Sequence, residues 1–202
     1  MTPPRPDIIL ASASQSRRKL LEAAGLTFRD MAARVDEAAI KHGHVPSKAG
    51  YGELAVQLAI HKALAVAQRH PDALVIGADQ ILVFEGKAFD KPDSVETARQ
   101  QLLKLRGGTH SLETAVACAR GSDVLWSHVE APHLTMRAFS SEFLEAYLAA
   151  EGQAATETVG GYKVEGRGVQ LFENMTGDYF AVLGLPLFPL LAFLRAQGVI
   201  AA

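Results

Sequence analysis

Residues 74–83 read LVIGADQILV, a run that places one carboxylate, Asp79, among apolar side chains. The run is short and rich in branched residues, so it predicts a mostly buried strand rather than a helix. The residues that share the Asp79 face of such a strand are Val75, Gly77, Ile81 and Val83. An unpaired charge buried there costs a large part of a domain's net stability. Asp79 is therefore expected to meet cations, hydrogen-bond donors or a metal ion.

Composition limits what the chain can do. Its 202 residues can form one sizeable core, and we expect a single domain over residues 1–202. Twenty Lys and Arg against 22 Asp and Glu give a formal net charge of −2, which excludes bulk attraction to nucleic acid or anionic membrane. The single cysteine, Cys118, excludes an intramolecular disulfide and suits a reducing compartment. No run reaches about 18 uninterrupted apolar positions, so the expectation is a soluble, cytoplasmic protein.

Helical and extended patterns alternate along the chain. The predicted strands lie at 7–12, around 28–35, at 74–83, at 108–120 and at 125–139. The predicted helices lie at 14–24, 53–69, 94–105, 140–150 and 187–197. Residues 41–52 predict a loop, and residues 160–186 predict a strand, a bend at 166–168 and more extended chain. This order favours an α/β protein with a mixed sheet and flanking helices.

Serines and arginines gather at the first predicted strand-to-helix turn, in LASASQSRRKLL. Ser12, Ser14, Ser16, Arg17 and Arg18 surround this turn. Free N–H groups at a helix start and a guanidinium fork both suit phosphate oxygens. The alternative is serine capping with two solvated arginines, and spacing alone leaves both open.

Other candidates are weaker when taken singly. Asp36 and Glu37 are adjacent acids that can share a hard cation such as Mg²⁺, or can simply be solvated. Lys62 lies on an Ala-rich predicted helix, and Lys91 follows a predicted hairpin; either lysine on its own is more often a surface residue. The alternative for Asp79 is a structural ion pair.

Taken together, the segments resemble one known family. LASASQSRRKLL, VDE, HKA, GADQ, DKP and GGYKVEGRGVQLFENMTGDYFAVLGLPL follow each other in an order similar to the Maf family of nucleoside triphosphate pyrophosphatases, over residues 8–194. The resemblance implies hydrolysis between the α- and β-phosphates, with Mg²⁺ or Mn²⁺. It also implies an elongated two-lobed fold of the Maf and inosine triphosphatase kind with a central cleft, and a possible homodimer. The implied partner is a small nucleoside triphosphate rather than nucleic acid or membrane.

The resemblance also assigns roles to residues. Asp79 is implied as the catalytic base, and Glu37 with Asp79 as the metal ligands. The implied substrate-binding residues are Ser12, Arg17, Lys62, Lys91, Gln80 and Glu165.

Three segments depart from the commonest family pattern. Ser16 stands where many members have an arginine, and Arg18 is a possible replacement. GADQ and GYKVEG replace GADT and GAYGIQG, and these forms look like the branch that acts on 7-methyl-GTP. Glu165 can accept hydrogen bonds from the N1–H and N2 amine of guanine, and a carboxylate favours the cationic methylated base.

Alternatives to this substrate remain open. Glu165 can be a surface strand residue and Gln80 can simply pack, in which case dTTP or UTP is the substrate. A nucleotide-binding regulator of cell division is the alternative outside enzymes. The retained Asp79, Lys62 and Lys91 argue against it, because a regulator needs no base beside its cations.

Overall fold

The structure is a computed structural model, and it describes residues 7–43 and 50–201. The strands are β1 (Ile8–Leu10), β2 (Arg29–Asp30), β3 (Leu74–Phe84), β4 (Lys87–Phe89), β5 (Thr109–Arg120), β6 (Asp123–Glu130), β7 (His133–Met136) and β8 (Phe172–Thr176). The helices are α1 (Gln15–Ala23), α2 (Glu37–Gly43), α3 (Gly50–Ala67), α4 (Val95–Leu105), α5 (Ser141–Glu151), α6 (Tyr179–Val182) and α7 (Leu187–Ala196). Short 3₁₀ turns cover Gly152–Thr156, Val159–Gly161 and Arg167–Leu171.

The strands form a mixed sheet, which confirms the predicted α/β class. Their hydrogen-bonded order is β2-β1-β3-β5-β7-β8, with β4 on β3 and β6 on β5. β1 runs parallel to β2 and β3. The pairs that β4 forms with β3, β6 and β7 with β5, and β8 with β7 are antiparallel.

The chain divides into two compact units, each with its own core. The first contains the residues up to 80, 114–130 and those from 184 onward. In its core Val75 of β3 packs with Ala63, Val66 and Ala67 of α3. Small side chains on this face of α3 let the helix lie close to the strand.

The second unit contains residues 81–113 and 131–183. Its core unites side chains of α4, α5, β7 and the segment after α5, among them Leu102, Leu148, Met136 and Tyr162. The long strands β3 and β5 each contribute residues to both units.

Most predicted elements are confirmed, with shifted ends. Helix α3 begins at Gly50, and α2 occupies the start of the predicted loop at 41–52; residues 44–49 of that loop lie outside the described residues. The predicted strand at 28–35 shrinks to Arg29–Asp30. The stretch 125–139 is two strands, β6 and β7, separated at Ala131 and Pro132. Proline cannot donate to a strand ladder, which favours a break there.

The prediction for residues 160–186 is wrong for most of its length. Gly160 and Gly161 have φ of 78° and 76°, in the left-handed region that favours glycine, and they turn the chain instead of extending it. The backbone then passes through a turn and a 3₁₀ segment before β8. The side chain of Asp178 accepts a hydrogen bond from the Phe180 N–H and starts α6, a capping signal that the extended prediction overlooked.

Within the described ranges, no helix is both long and apolar enough to cross a membrane.

Candidate active site

Asp79 meets the cation that its buried position requires. Lys62 Nζ on α3 lies 2.5 Å from Asp79 Oδ1 and 2.8 Å from Glu37 Oε1. The side chains of Lys62 and Asp79 are only 13% and 11% exposed, whereas that of Glu37 is 46% exposed. One ammonium group thus contacts two carboxylates from two different elements, and the three predicted residues come together.

Gly77 explains how α3 reaches the strand so closely. A Cβ atom at Gly77 would lie 2.2 Å from the carbonyl oxygen of Ala59 and 2.7 Å from the backbone nitrogen of Ala63. Gly77 and Asp79 are two residues apart on β3, so they lie on the same face, and Lys62 directly precedes Ala63. Backbone contact at Gly77 therefore brings Lys62 to Asp79.

Arg17 turns into the first unit instead of extending into solvent. Its Nε donates to the Gly184 carbonyl oxygen at 2.7 Å, and its Nη1 donates to the Ala78 carbonyl oxygen at 2.8 Å and to Ser12 Oγ at 3.4 Å. Burial lowers the pKa of the Arg17 guanidinium, and the negative charges of Asp79 and Glu37 oppose that shift. Arg17 thus belongs electrostatically to the carboxylate cluster and also ties the α1 start to β3.

The serine turn before α1 is a capped helix start. Ser14 Oγ accepts a hydrogen bond from the Arg17 N–H, and Ser12 Oγ accepts one from the Ser14 N–H at 3.1 Å. Arg18 forms an ion pair with Asp30 at the surface. Ser14 is therefore the N-cap of α1, as the capping interpretation predicts. The Arg18 guanidinium thus points to Asp30, whereas Arg17 turns towards β3.

The adjacent acids Asp36 and Glu37 have different partners. Asp36 Oδ1 accepts a hydrogen bond from the Ala39 N–H at 3.0 Å at the start of α2, while Glu37 contacts Lys62. The pair of oxygen donors that faces one cation is consequently Glu37 with Asp79.

This donor set fits a hard divalent ion. Mg²⁺ is commonly held by one or two carboxylates and completed by substrate phosphates and water. Within residues 7–43 and 50–201 no group of three or more His, Cys, Asp or Glu side chains is placed to hold a metal. Two carboxylates alone would therefore leave most of the ion's coordination to substrate and solvent.

Gln80 has a defined polar partner. Its Nε2 donates to Thr114 Oγ1 on β5 at 2.8 Å, and Thr114 is fully buried. This hydrogen bond orients the Gln80 amide.

Lys91 and Glu165 belong to the second unit. Both are exposed, and Glu165 lies in a turn rather than in the strand that the sequence suggested. A hydrogen bond from Lys163 is the main reason why the pKa of Glu157 is lowered, and the charge of Lys91 adds to it. Lys163 Nζ lies 2.5 Å from Glu157 Oε2, so these two lysines and one acid form a charged group on this unit.

Sequence reasoning missed three features of the site region. These are the carbonyl partners of Arg17, the Lys163–Glu157 ion pair and a buried hydrogen bond between His110 and Tyr162. Of these, only His110 left a signal, since it interrupts the apolar pattern of its strand as Asp79 does.

Comparisons with known proteins agree with the sequence resemblance. The family model described as Maf-like protein matches residues 7–197. A protein of Granulibacter bethesdensis named nucleoside triphosphate pyrophosphatase is 50% identical, over 93% of this chain and 95% of its own. One of the same name from Rhodospirillum rubrum is 48% identical over 96% of each chain. A 7-methyl-GTP pyrophosphatase of Rhizobium meliloti is 43% identical over 98% of this chain and 100% of its own.

Solved structures add little. A HAM1 protein from Coxiella burnetii covers 66% of this chain and 74% of its own, at 13% identity and a TM-score of 0.39, a likeness too small to support a conclusion. The family match, by contrast, spans nearly the whole chain. The predicted family is confirmed, and this chain belongs to the Maf-like proteins.

Proposed function

We propose that this chain is a nucleoside triphosphate pyrophosphatase and that 7-methyl-GTP is its preferred substrate. The names of relatives that cover more than nine-tenths of the chain support the activity class. The observation that carries the mechanism is the Lys62 ammonium held between the Asp79 and Glu37 carboxylates. A base, a cation and a second acid at one place are the groups that hydrolysis of a phosphoanhydride needs.

Asp79 is the proposed general base. Its carboxylate takes a proton from a water molecule whose oxygen forms a bond to the α-phosphorus. The bond between the α-phosphorus and the bridging oxygen to the β-phosphorus breaks, and pyrophosphate leaves with that electron pair. Lys62 orients the carboxylate through its 2.5 Å contact and offsets negative charge on the phosphates. Lys91 is proposed to contribute positive charge to the same phosphates.

Glu37 and Asp79 are the residues that would hold a divalent cation. Such an ion, when bound, supplies charge neutralisation on the phosphate oxygens. Lys62 contacts both carboxylates, so they would serve such an ion and the ammonium together.

Glu165 supports the proposed nucleobase of the substrate. It is exposed on a turn and only accepts hydrogen bonds, which suits the N1–H and N2 amine of guanine. The methyl group at N7 gives that base a positive charge, which a carboxylate attracts. Four relatives at 43–45% identity carry the name 7-methyl-GTP pyrophosphatase. The names of the relatives at 47–50% identity specify no nucleobase. The proposed preference accordingly rests on Glu165 and Gln80 more than on names.

The test is pyrophosphate release from 7-methyl-GTP, GTP, UTP and dTTP, each with Mg²⁺ and with Mn²⁺. The expected result is the highest kcat/KM for 7-methyl-GTP and loss of release in Asp79→Asn. Asp123→Asn makes the same chemical change at an exposed position of β6 and serves as the control. A preference for dTTP or UTP would contradict the substrate while leaving the activity class. Tight binding of nucleotides without any release would favour a regulator.

A further inference from the structure

A polar pair lies inside the core of the second unit. His110 of β5 is 1% exposed and Tyr162 is 6% exposed. The Nε2 atom of His110 lies 2.6 Å from the hydroxyl oxygen of Tyr162. Phe172 closes the cluster, with its ring centroid 4.8 Å from that of Tyr162 and 5.9 Å from that of His110. A phenylalanine at position 162 would fill this core equally well, so packing alone does not account for the hydroxyl.

Tyr162 directly precedes the turn that carries Glu165. The Gly166 N–H donates to the Lys163 carbonyl oxygen at 3.2 Å and closes this turn. A Cβ atom at Gly168 would lie 2.5 Å from the Lys163 oxygen and 2.8 Å from its nitrogen, so the chain folds back tightly on itself. Val164, inside the turn, is 7% exposed. The turn over residues 163–166 is therefore compact, and it begins directly after the buried Tyr162.

Two more hydrogen bonds hold the backbone on either side of Tyr162. The Tyr147 hydroxyl donates to the Gly161 carbonyl oxygen at 3.0 Å, and Thr158 Oγ1 donates to the Tyr162 carbonyl oxygen at 2.8 Å. These contacts fix the main chain, whereas the His110 contact fixes the end of the Tyr162 side chain. The side chain anchors the start of the turn in the core, and Glu165 follows three residues later.

We infer that His110 and Tyr162 form a positioning pair that sets the orientation of the Glu165 turn and thereby the base selectivity of the enzyme. This inference rests on the proposed function, in which Glu165 reads the base. Neither residue is assigned to the reacting atoms, so both act through Glu165. Burial, and next the charge of His133, lowers the pKa of His110 to about 4, and burial raises the pKa of Tyr162. The pair is uncharged at neutral pH and transmits position rather than charge.

The test begins with Tyr162→Phe, which keeps the ring against Phe172 and removes only the hydroxyl. The expected result is a rise of about tenfold in KM for 7-methyl-GTP with little change in kcat, because one hydrogen bond is lost and Asp79 is untouched. KM for UTP is expected to change little, so the preference for 7-methyl-GTP over UTP falls by about the same factor. Equal loss on both substrates, or loss confined to kcat, would overturn the inference.

Substitutions at His110 test the same hydrogen bond by changing its other partner. In His110→Gln the amide occupies roughly the place of Nε2 and can still bond the tyrosine hydroxyl, so selectivity is expected to persist. In His110→Leu the bond is lost and selectivity is expected to fall as in Tyr162→Phe. These two variants carry the comparison if Tyr162→Phe does not fold. Equal selectivity in His110→Leu and His110→Gln would contradict a positioning role.

Leu105→Val is the control for a general loss of stability. Leu105 is fully buried in the same core, and its side chain makes no polar contact with the turn. Its thermal midpoint is expected to fall while the substrate ratio stays constant. A wild-type enzyme that hydrolyses triphosphates without preferring 7-methyl-GTP overturns the substrate proposal and this inference together. A preference that survives both Tyr162→Phe and His110→Leu overturns the inference alone.

Discussion

The ammonium of Lys62 lies 2.5 Å from the carboxylate of Asp79, on a face of β3 that is otherwise apolar. Replacing a buried ion pair by packed apolar side chains is often neutral or stabilising, so stability is a poor reason for this pair to exist. A base held beside a cation is what cleavage of a phosphoanhydride requires. The pair therefore supports the proposed role of Asp79 as the general base.

Asp79→Asn is expected to lower kcat by about 10² or more, because a neutral amide cannot accept the proton of water. The fold should persist, since an amide still accepts a hydrogen bond from Lys62. Steady-state pyrophosphate release together with circular dichroism tests both parts. Near-normal release would remove Asp79 from the mechanism.

Lys62→Met is expected to lower activity on every triphosphate alike and also to destabilise the fold by about 3–5 kcal/mol, because it leaves Asp79 buried without its cation. Lys91→Ala is expected to lower activity in the same uniform way but to change stability by less than about 0.5 kcal/mol, since Lys91 is exposed. Urea unfolding and kcat/KM for four triphosphates separate these effects. A change of base preference in either variant would refute its role at the phosphates.

Gly77→Ala is expected to destabilise the first unit by about 3 kcal/mol or more, because the added methyl group overlaps the Ala59 carbonyl oxygen. Activity should fall as well, since moving α3 separates Lys62 from Asp79. Gly43→Ala is the matched control, because a Cβ atom there meets nothing within 4 Å. Equal thermal midpoints for the two variants would show that β3 and α3 are not in backbone contact.

The stability of the protein is expected to fall as the pH drops from about 6.5 to about 4 through the titration of His110. The pKa of His110 is lowered in the fold, so over this range the unfolded chain binds a proton that the folded chain does not. The contribution of His110 to the free energy of unfolding is complete above pH 6.5 and amounts to about 3 kcal/mol at most.

Urea unfolding from pH 4 to 7 measures this contribution, and His110→Gln should flatten the profile. His133 on β7 is the other titratable group that lowers this pKa, so His133→Gln should shift the midpoint of the profile towards higher pH. Identical profiles for wild type and His110→Gln would contradict the assignment.

Glu165→Gln, alone or with Gln80→Thr, is expected to shift preference from 7-methyl-GTP towards UTP and dTTP. The amide offers a donor as well as an acceptor, which suits the mixed edge of a pyrimidine. An unpaired donor costs about 1–3 kcal/mol, or about a tenfold to hundredfold change in relative kcat/KM. Glu173→Gln, at an exposed position of β8, is the control. Unchanged ratios in Glu165→Gln would contradict the assignment of Glu165 to the base.

The sequence by itself determined most helices and strands. Ser14, Ser94 and Ser140 each cap the helix that follows, and in each case the bond spans three residues. A short apolar run rich in branched residues likewise predicted β3, because the composition of a buried strand is visible in neighbouring positions. Family order then pointed to Asp79, Lys62 and Glu37 together.

Only the tertiary structure decided which groups these side chains meet. Lys62 and Asp79 are 17 residues apart, His110 and Tyr162 are 52 apart, and Arg17 reaches Gly184 across 167 residues. No local spacing encodes such contacts, since they depend on how close two backbones come, as at Gly77. The turn that carries Glu165 differs from the predicted strand for the same reason. The chain enters it through positive φ at two glycines and a buried tyrosine whose partner lies on another strand.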